Sequence, residues 1–220
     1  MSGVSAGSFI PGVSGIKDNL SGTFSSIWSQ AASSAGYSAY ISDVGLGGSI
    51  WLSDGVKWRP CGGRVTLKNL TAEVTNSGAA KIVLDYATCP TALIYDGDII
   101  EIDYSLEHSG ADSNATDILI GTVSTTLGTS TTLINAQPSG ANTGIYVKAR
   151  YKKVSATSIR PISLIGSVGY GVATALPTTV TGLPNMDTQT TYIQISSDLT
   201  AAAGDVVTLR AYTVTLISGS

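Results

Sequence analysis

The chain has 220 residues and a mass of 22.5 kDa, enough for one large β domain or a main domain with a small appendage. Only 12% of it is charged while glycine, serine and threonine recur throughout, which suits strands and turns; 43% hydrophobic content excludes a disordered chain. A formal net charge of −3 argues against a nucleic-acid partner, and no stretch reaches the ~18 apolar residues of a membrane-spanning helix.

The N-terminal MSGVSAGSFIPG has neither a positively charged n-region nor an apolar h-region, so no secretory leader is read there and synthesis in a cytoplasm is expected. Cys61 and Cys89 are too few for a disulfide scaffold or a zinc site. They read as reduced thiols, although the sequence leaves a bridge between them open.

In chain order, residues 1–36 stand apart as a docking segment. A Gly/Ser-rich lead-in broken by Pro11 precedes IKDNLSGTFSSIWSQAASS, where Ile16, Leu20, Phe24, Ile27 and Trp28 fall at near-helical spacing around Gly22. The spacing predicts a short amphipathic helix. Such a helix cannot bury its own apolar face and needs another surface, in its own domain, a sister copy or a larger assembly. Ile16, Leu20, Phe24 and Trp28 are the candidate docking residues.

From Tyr37 the pattern is that of strands. YSAYIS (37–42), the Gly-rich turn DVGLGG (43–48), SIWLS (49–53) and VKWRP (56–60) make a small β-hairpin module over residues 37–63. Asp54-Gly55 signals a two-residue hairpin turn, since a type I′ turn needs positive φ at both central positions. Counted outward from that turn, Trp51 faces Trp58, and a cross-strand aromatic pair stabilises by roughly 0.2–1 kcal/mol. The pair reads first as hairpin packing; the second reading is an aromatic surface at Trp51 and Trp58 for a ligand or partner.

CGGR (61–64) breaks the chain before the main block, residues 64–220. Strands are predicted at 64–75, 81–86, 99–108, 116–124, 131–135, 144–154, 158–166, 190–196 and 205–218. Their spacing leaves no room for crossover helices, so the expected fold is all-β, an antiparallel β-sandwich of jelly-roll type. Along IIEIDYSLEH, Ile100, Ile102, Tyr104 and Leu106 should face inward and Glu101, Asp103 and Glu107 outward. Along GIYVKARYKK, Ile145, Val147, Ala149 and Tyr151 face inward and Lys148, Arg150 and Lys152 outward, with Lys153 closing the basic run. The acidic and basic stripes are predicted to be neighbours in one sheet. The last strand is apolar or neutral on both faces, from Val206 to Ile217, which predicts cover on both sides and points to a second subunit.

Little here reads as catalytic chemistry. His108 ends a strand with no motif for a Ser–His or Cys–His pair. Glu101, Asp103 and Glu107 share a face, as the two carboxylates of a glycosidase must, but an outward acidic stripe is more simply a solvated one. Asp96 and Asp98 form one D-x-D turn, a weak calcium signal, and GSVGYGVA (166–173) lacks the strand–loop–helix setting of a nucleotide loop. No catalytic residue, cofactor or metal is expected.

The segment AYISDVGLGGSIWLSDGVKWRPCGGR (39–64) resembles a small β-hairpin module of tail and fibre proteins of tailed bacteriophages, with its D-V-G turn, S-D-G turn and W-R-P. YDGDIIEIDYSLEH, ATDILIGTV and AGDVVTLRAYTVTLI resemble the jelly-roll domain that follows it there. The resemblance implies a virion structural protein, made in the host cytoplasm and homotrimeric, docked on the particle by its N-terminus with the β domain displayed outward. Its partners would be other virion proteins and a host cell-surface glycan or protein. The chain lacks a coiled-coil or repetitive shaft, which favours a compact short fibre, a fibre tip or a head decoration protein. Loops 109–116, 135–144 and 175–190 are the natural variable surfaces, the last long enough to reach a neighbour. A carbohydrate-binding module using Trp51 and Trp58 is the alternative, and an enzyme acting on surface polysaccharide ranks last.

Overall fold

The computed structural model describes residues 17–28, 35–78, 80–110, 114–128, 130–136, 143–166, 179–199 and 205–219. The chain divides into two compact units, Met1–Thr66 and Leu67–Ser220.

The first unit holds β1 (Lys17–Gly22), α1 (Phe24–Trp28), β2 (Ala35–Ile41), β3 (Ser49–Asp54) and β4 (Trp58–Pro60), in the sheet order β1-β2-β3-β4. β1 runs parallel to β2, and the later pairs are antiparallel. Residues 17–22, expected to be helical, thus form a strand, with Leu20 opposite Ala39. Among the described residues of this segment Phe24–Trp28 are helical, and Thr23 starts them: its carbonyl accepts from Ile27 N at 3.0 Å and its Oγ1 from Ser26 N at 3.4 Å. Phe24 and Ile27 lie one turn apart and are buried within this unit, Phe24 edge-on to Trp51 at 6.0 Å. Residues 17–28 of the predicted docking segment thus pack within this unit through β1, Phe24 and Ile27. Ile16 lies outside the described residues, and Trp28 closes α1.

The hairpin forms, but one residue later than the Asp54-Gly55 signal indicates. Asp54 N donates to Lys57 O at 3.0 Å, and the Asp54 carboxylate accepts from Val56 N and Lys57 N at 2.8 and 2.7 Å. This side-chain turn centres the loop on Gly55 and Val56, with positive φ at Gly55. Ser53 then pairs with Trp58 and Trp51 with Pro60, so the two tryptophans are diagonal rather than opposite. A two-residue slip keeps every side chain on its own face, and both indoles still point inward.

β5 (Arg64–Asn69) spans the boundary, and the second unit continues with β6 (Val74–Asn76), β7 (Ile82–Cys89), β8 (Ile99–Ser109), β9 (Asn114–Gly121), β10 (Thr131–Ala136), β11 (Thr143–Ser155), β12 (Ser158–Gly166), β13 (Thr191–Leu199) and β14 (Val206–Ile217). One sheet has the order β12-β11-β8-β14-β5, with β6 on β14, and the other β10-β9-β13-β7. The pairings nest: β5 with β14, β7 with β13, β8 with β11, β9 with β10. That concentric pairing, shared between two sheets, is the jelly-roll sandwich expected from the sequence. β12 adds an edge strand by hairpin to β11.

The predicted inward residues of β8 and β11 are all buried, as are Ile118, Ile120, Ile193 and Ile195 of the other sheet. Two tyrosines link the sheets: Tyr212 Oη donates to Ile193 O at 2.8 Å and Tyr151 Oη to Leu133 O at 3.3 Å. Burial raises the pKa of both phenols above the ordinary tyrosine value. Val123 and Ser130 flank buried Gln194, which donates through Nε2 to Val123 O at 2.8 Å and accepts from Ser130 Oγ at 2.7 Å.

The last strand gives a correction. Its pairing with β8 shifts between Leu209 and Ala211, leaving Arg210 as an extra, bulged residue. Val207 and Leu209 point inward before the bulge, and Tyr212, Val214 and Leu216 after it. Apolar residues at both parities therefore line one core, and the pattern no longer calls for a second subunit.

The 175–190 loop is also tied down where it is described. Val180 and Ile159 exchange two backbone hydrogen bonds, and Leu183 and Met186 are buried. Residues 179–190 thus pack in part on their own chain. Parts of the 109–116 and 135–144 loops lie outside the described residues.

Candidate interaction surface

The groups with chemical potential are placed as follows. His108 points into the sandwich, buried, with Nε2 3.9 Å from Asp205 Oδ2 and neither ring nitrogen hydrogen-bonded among the described residues. Asp98 is buried and accepts from Tyr95 N and Gly219 N, a structural turn cap. Asp96 instead lies 3.3 Å from buried Lys153, whose Nζ also donates to Ile94 O and Asp187. Lys153 is thereby separated from the basic run it ends. Among the described residues no cluster of His, Cys, Asp or Glu is arranged to hold a metal ion. Cys61 and Cys89 are both free thiols; burial pushes the Cys89 thiol up to about 12.

The predicted stripes meet. β8 pairs β11 so that Asp103 faces Lys148 and Glu101 faces Arg150. Arg150 Nε donates to Glu101 Oε2 at 2.6 Å, and Lys148 Nζ lies 3.2 Å from Glu101 Oε1 and 3.6 Å from Asp103 Oδ2. Tyr146 Oη donates to Asp103 Oδ2 at 2.9 Å. Glu107 is claimed from the other side by Arg210 at 2.6 Å, the bulged residue, which also reaches Glu73. Lys152 stands opposite Ile99 without an acid across from it. Burial raises the pKa of Glu101, but hydrogen bonds from Arg150 and Lys148 outweigh it and hold the carboxyl below its ordinary value. A glycosidase acid needs the opposite shift. The stripe is a self-neutralised solvent face.

Trp51 and Trp58 are 0% and 3% exposed. Trp51 Nε1 donates to Ser49 Oγ at 2.7 Å, which in turn donates to Val44 O. Neither indole offers a ring face to solvent, so the expected ligand or partner surface is absent at these two residues. They are the core of the small unit.

The surface that needs explaining is the other side of that sheet. Tyr40 faces Ile50 across β2 and β3, and Leu52 follows two residues on, on the same face. They are 42%, 56% and 43% exposed, and Leu46 and Val56, in the turns at either end of β3, are 60% and 81% exposed. Tyr40 Oη donates to Gly47 O at 2.6 Å, and a side chain on Gly48, at φ 95°, would strike that hydroxyl. The turn and the tyrosine ring therefore hold one another in place. Sequence reading passed over this face because Trp51 drew attention to the inward parity. The signal was present: in SIWLS, Ile50 and Leu52 flank Trp51, so both parities are apolar.

No family model matches the chain, and no curated protein matches it. Among solved structures it is similar to a chain in a structure of infectious bursal disease virus, Gx strain, at 14% identity and a TM-score of 0.19, covering 84% of this chain and 47% of that one. The chain thus spans about half the length of that structure's chain, and at this score the likeness says nothing about fold or role.

Proposed function

We propose that the protein is a non-enzymatic structural component of a tailed-bacteriophage virion. In this reading it is a compact homotrimeric tail fibre or fibre part, docked on the particle through its N-terminal region, with the sandwich displayed outward for host-surface binding. The observation that carries it is the division of surface chemistry. The small unit, which includes the segment resembling phage fibre modules, keeps five large apolar side chains exposed, whereas the outer face of β8 and β11 balances its own charges. The sandwich also exposes Ile82, Val123, Tyr146, Val154, Ile162 and Ile165, but over several strands and a loop, whereas those of the small unit gather on β2, β3 and the turns at either end of β3. The carbohydrate-binding alternative loses its support because its tryptophans are buried.

Immunogold electron microscopy tests the reading. Antibodies raised on the sandwich should label a projecting structure on intact tailed-phage particles that encode this chain. Labelling only after particle disruption, or none, contradicts it.

A further inference from the structure

We infer that Lys152 and Arg160, side by side on the outer face of β11 and β12, bind one oxyanion group of an acidic host-surface polysaccharide. The inference rests on the host-binding part of the proposed function and names the ligand class and the residues that meet it.

The site follows from the charges of β8, β11 and β12. Neither β11 nor β12 contains an acid, and β12 contributes one cation, Arg160. Lys148, Arg150 and Lys152 stand outward on β11, and Glu101, Asp103 and Glu107 on β8. Glu101 and Asp103 take up Arg150 and Lys148, and Arg210 of β14 takes up Glu107 together with Glu73. Asp96 and Asp187 are both held by Lys153, which is buried. Lys152 and Arg160 are left over. They stand directly opposite each other, both exposed, and neither head group has an ion-pair partner among the described residues. On its other side Lys152 faces Ile99.

Like charges placed directly opposite destabilise a strand pair, so this juxtaposition gains the fold nothing. An oxyanion between the two head groups turns the repulsion into charge-assisted hydrogen bonds, with the arginine offering a planar fork and the lysine a point charge. The acids around the pair set the size of the ligand group. Glu101 faces Arg150, the next outward position of β11, and Asp96 reaches Lys153. A nucleic acid or an anionic bilayer presents a continuous array of phosphates and would run onto these carboxylates. A polysaccharide with its carboxylates or phosphates spaced along neutral sugars can set a single one on the pair and lay hydroxyls over the rest.

The test is an NMR titration of the full chain with three probes: hexagalacturonate, its neutral methyl ester, and a phosphomannan fragment. The expected result is saturable binding of at least one charged probe, with shifts centred on residues 150–162, and no binding of the ester. Which charged probe binds tells carboxylate from phosphate. Lys152→Gln, Arg160→Gln, its fold checked by circular dichroism, should weaken binding about tenfold or more. Arg160→Glu separates binding from folding: it gives Lys152 a partner, so binding should be lost while the thermal midpoint stays or rises. Failure of both charged probes to bind, binding that survives the double substitution, or a midpoint lowered by Arg160→Glu overturns the assignment. So does capture of hexaglutamate or of phosphatidylglycerol vesicles through these two residues in place of the sugars. Each of these outcomes leaves the virion reading standing, since immunogold labelling of particles decides that separately. Unlabelled particles would remove the virion reading without altering a binding measured on the isolated chain.

Discussion

Two outer sheet faces obey the same alternation and carry opposite chemistry. On β8 and β11 the outward positions include Glu101, Asp103, Lys148 and Arg150, which match one another across the strands. On β2 and β3 they are Tyr40, Ile50 and Leu52. Each face also carries a tyrosine at 42% exposure, Tyr146 on the first and Tyr40 on the second. The first pairs most of its charges with one another and scatters its exposed apolar side chains among them. The second leaves apolar surface worth about 25 cal/mol per Å² waiting for cover. Alternation fixes which side a residue takes, whereas residue chemistry decides whether that side ends the structure or continues it.

The largest expected effect breaks the sandwich by removing one residue. Deleting Arg210 removes the bulge, so one half of β14 must turn its apolar residues outward, and we expect loss of the cooperative β signal in circular dichroism. Arg210→Ala keeps the extra residue and should keep the fold. Next, Trp51→Ala empties the small unit's core and should cost about 3–5 kcal/mol in denaturant unfolding of that unit. Leu52→Ser, on the opposite face of the same strand, should stay within about 0.5 kcal/mol for the unassociated chain.

The ionic face is tested by Arg150→Ala, which leaves buried Glu101 with Lys148 alone and should cost about 1–3 kcal/mol. The carboxyl's folded value lies below its ordinary 4.5, so its contribution is fully present above that pH and is lost as pH falls through the folded value. Stability should therefore drop on acidification below about pH 4.5. Glu101→Gln should flatten that slope, as followed by urea midpoints. The smallest effect is at the hairpin: Asp54→Ala removes two turn hydrogen bonds and should cost about 1 kcal/mol, read from the small unit's thermal midpoint.

The sandwich was legible because its strands alternate cleanly, and the meeting of the two stripes followed from inward and outward parity alone. What was not legible were the places where one residue changes the count. A bulge has no composition of its own, so the extra Arg210 made one buried face look like two. At Asp54-Gly55 the carboxylate's local hydrogen bonds moved the turn by one position, and no propensity rule records that competition. The strand at 17–22 depends on pairing with β2, a tertiary contact that overrides helical spacing. The apolar face itself was written in SIWLS, one residue either side of the tryptophan that attracted the functional reading.

The most direct measurement is hydroxyl-radical footprinting of the full chain, comparing Tyr40 with Tyr146. The two are equally exposed in the lone chain, so exposure alone predicts similar oxidation. The account predicts Tyr40 several-fold less reactive than Tyr146 once the chain is docked on the particle, with the difference abolished in an Ile50→Ser, Leu52→Ser variant. Equal reactivity of the two tyrosines in the wild type would contradict it.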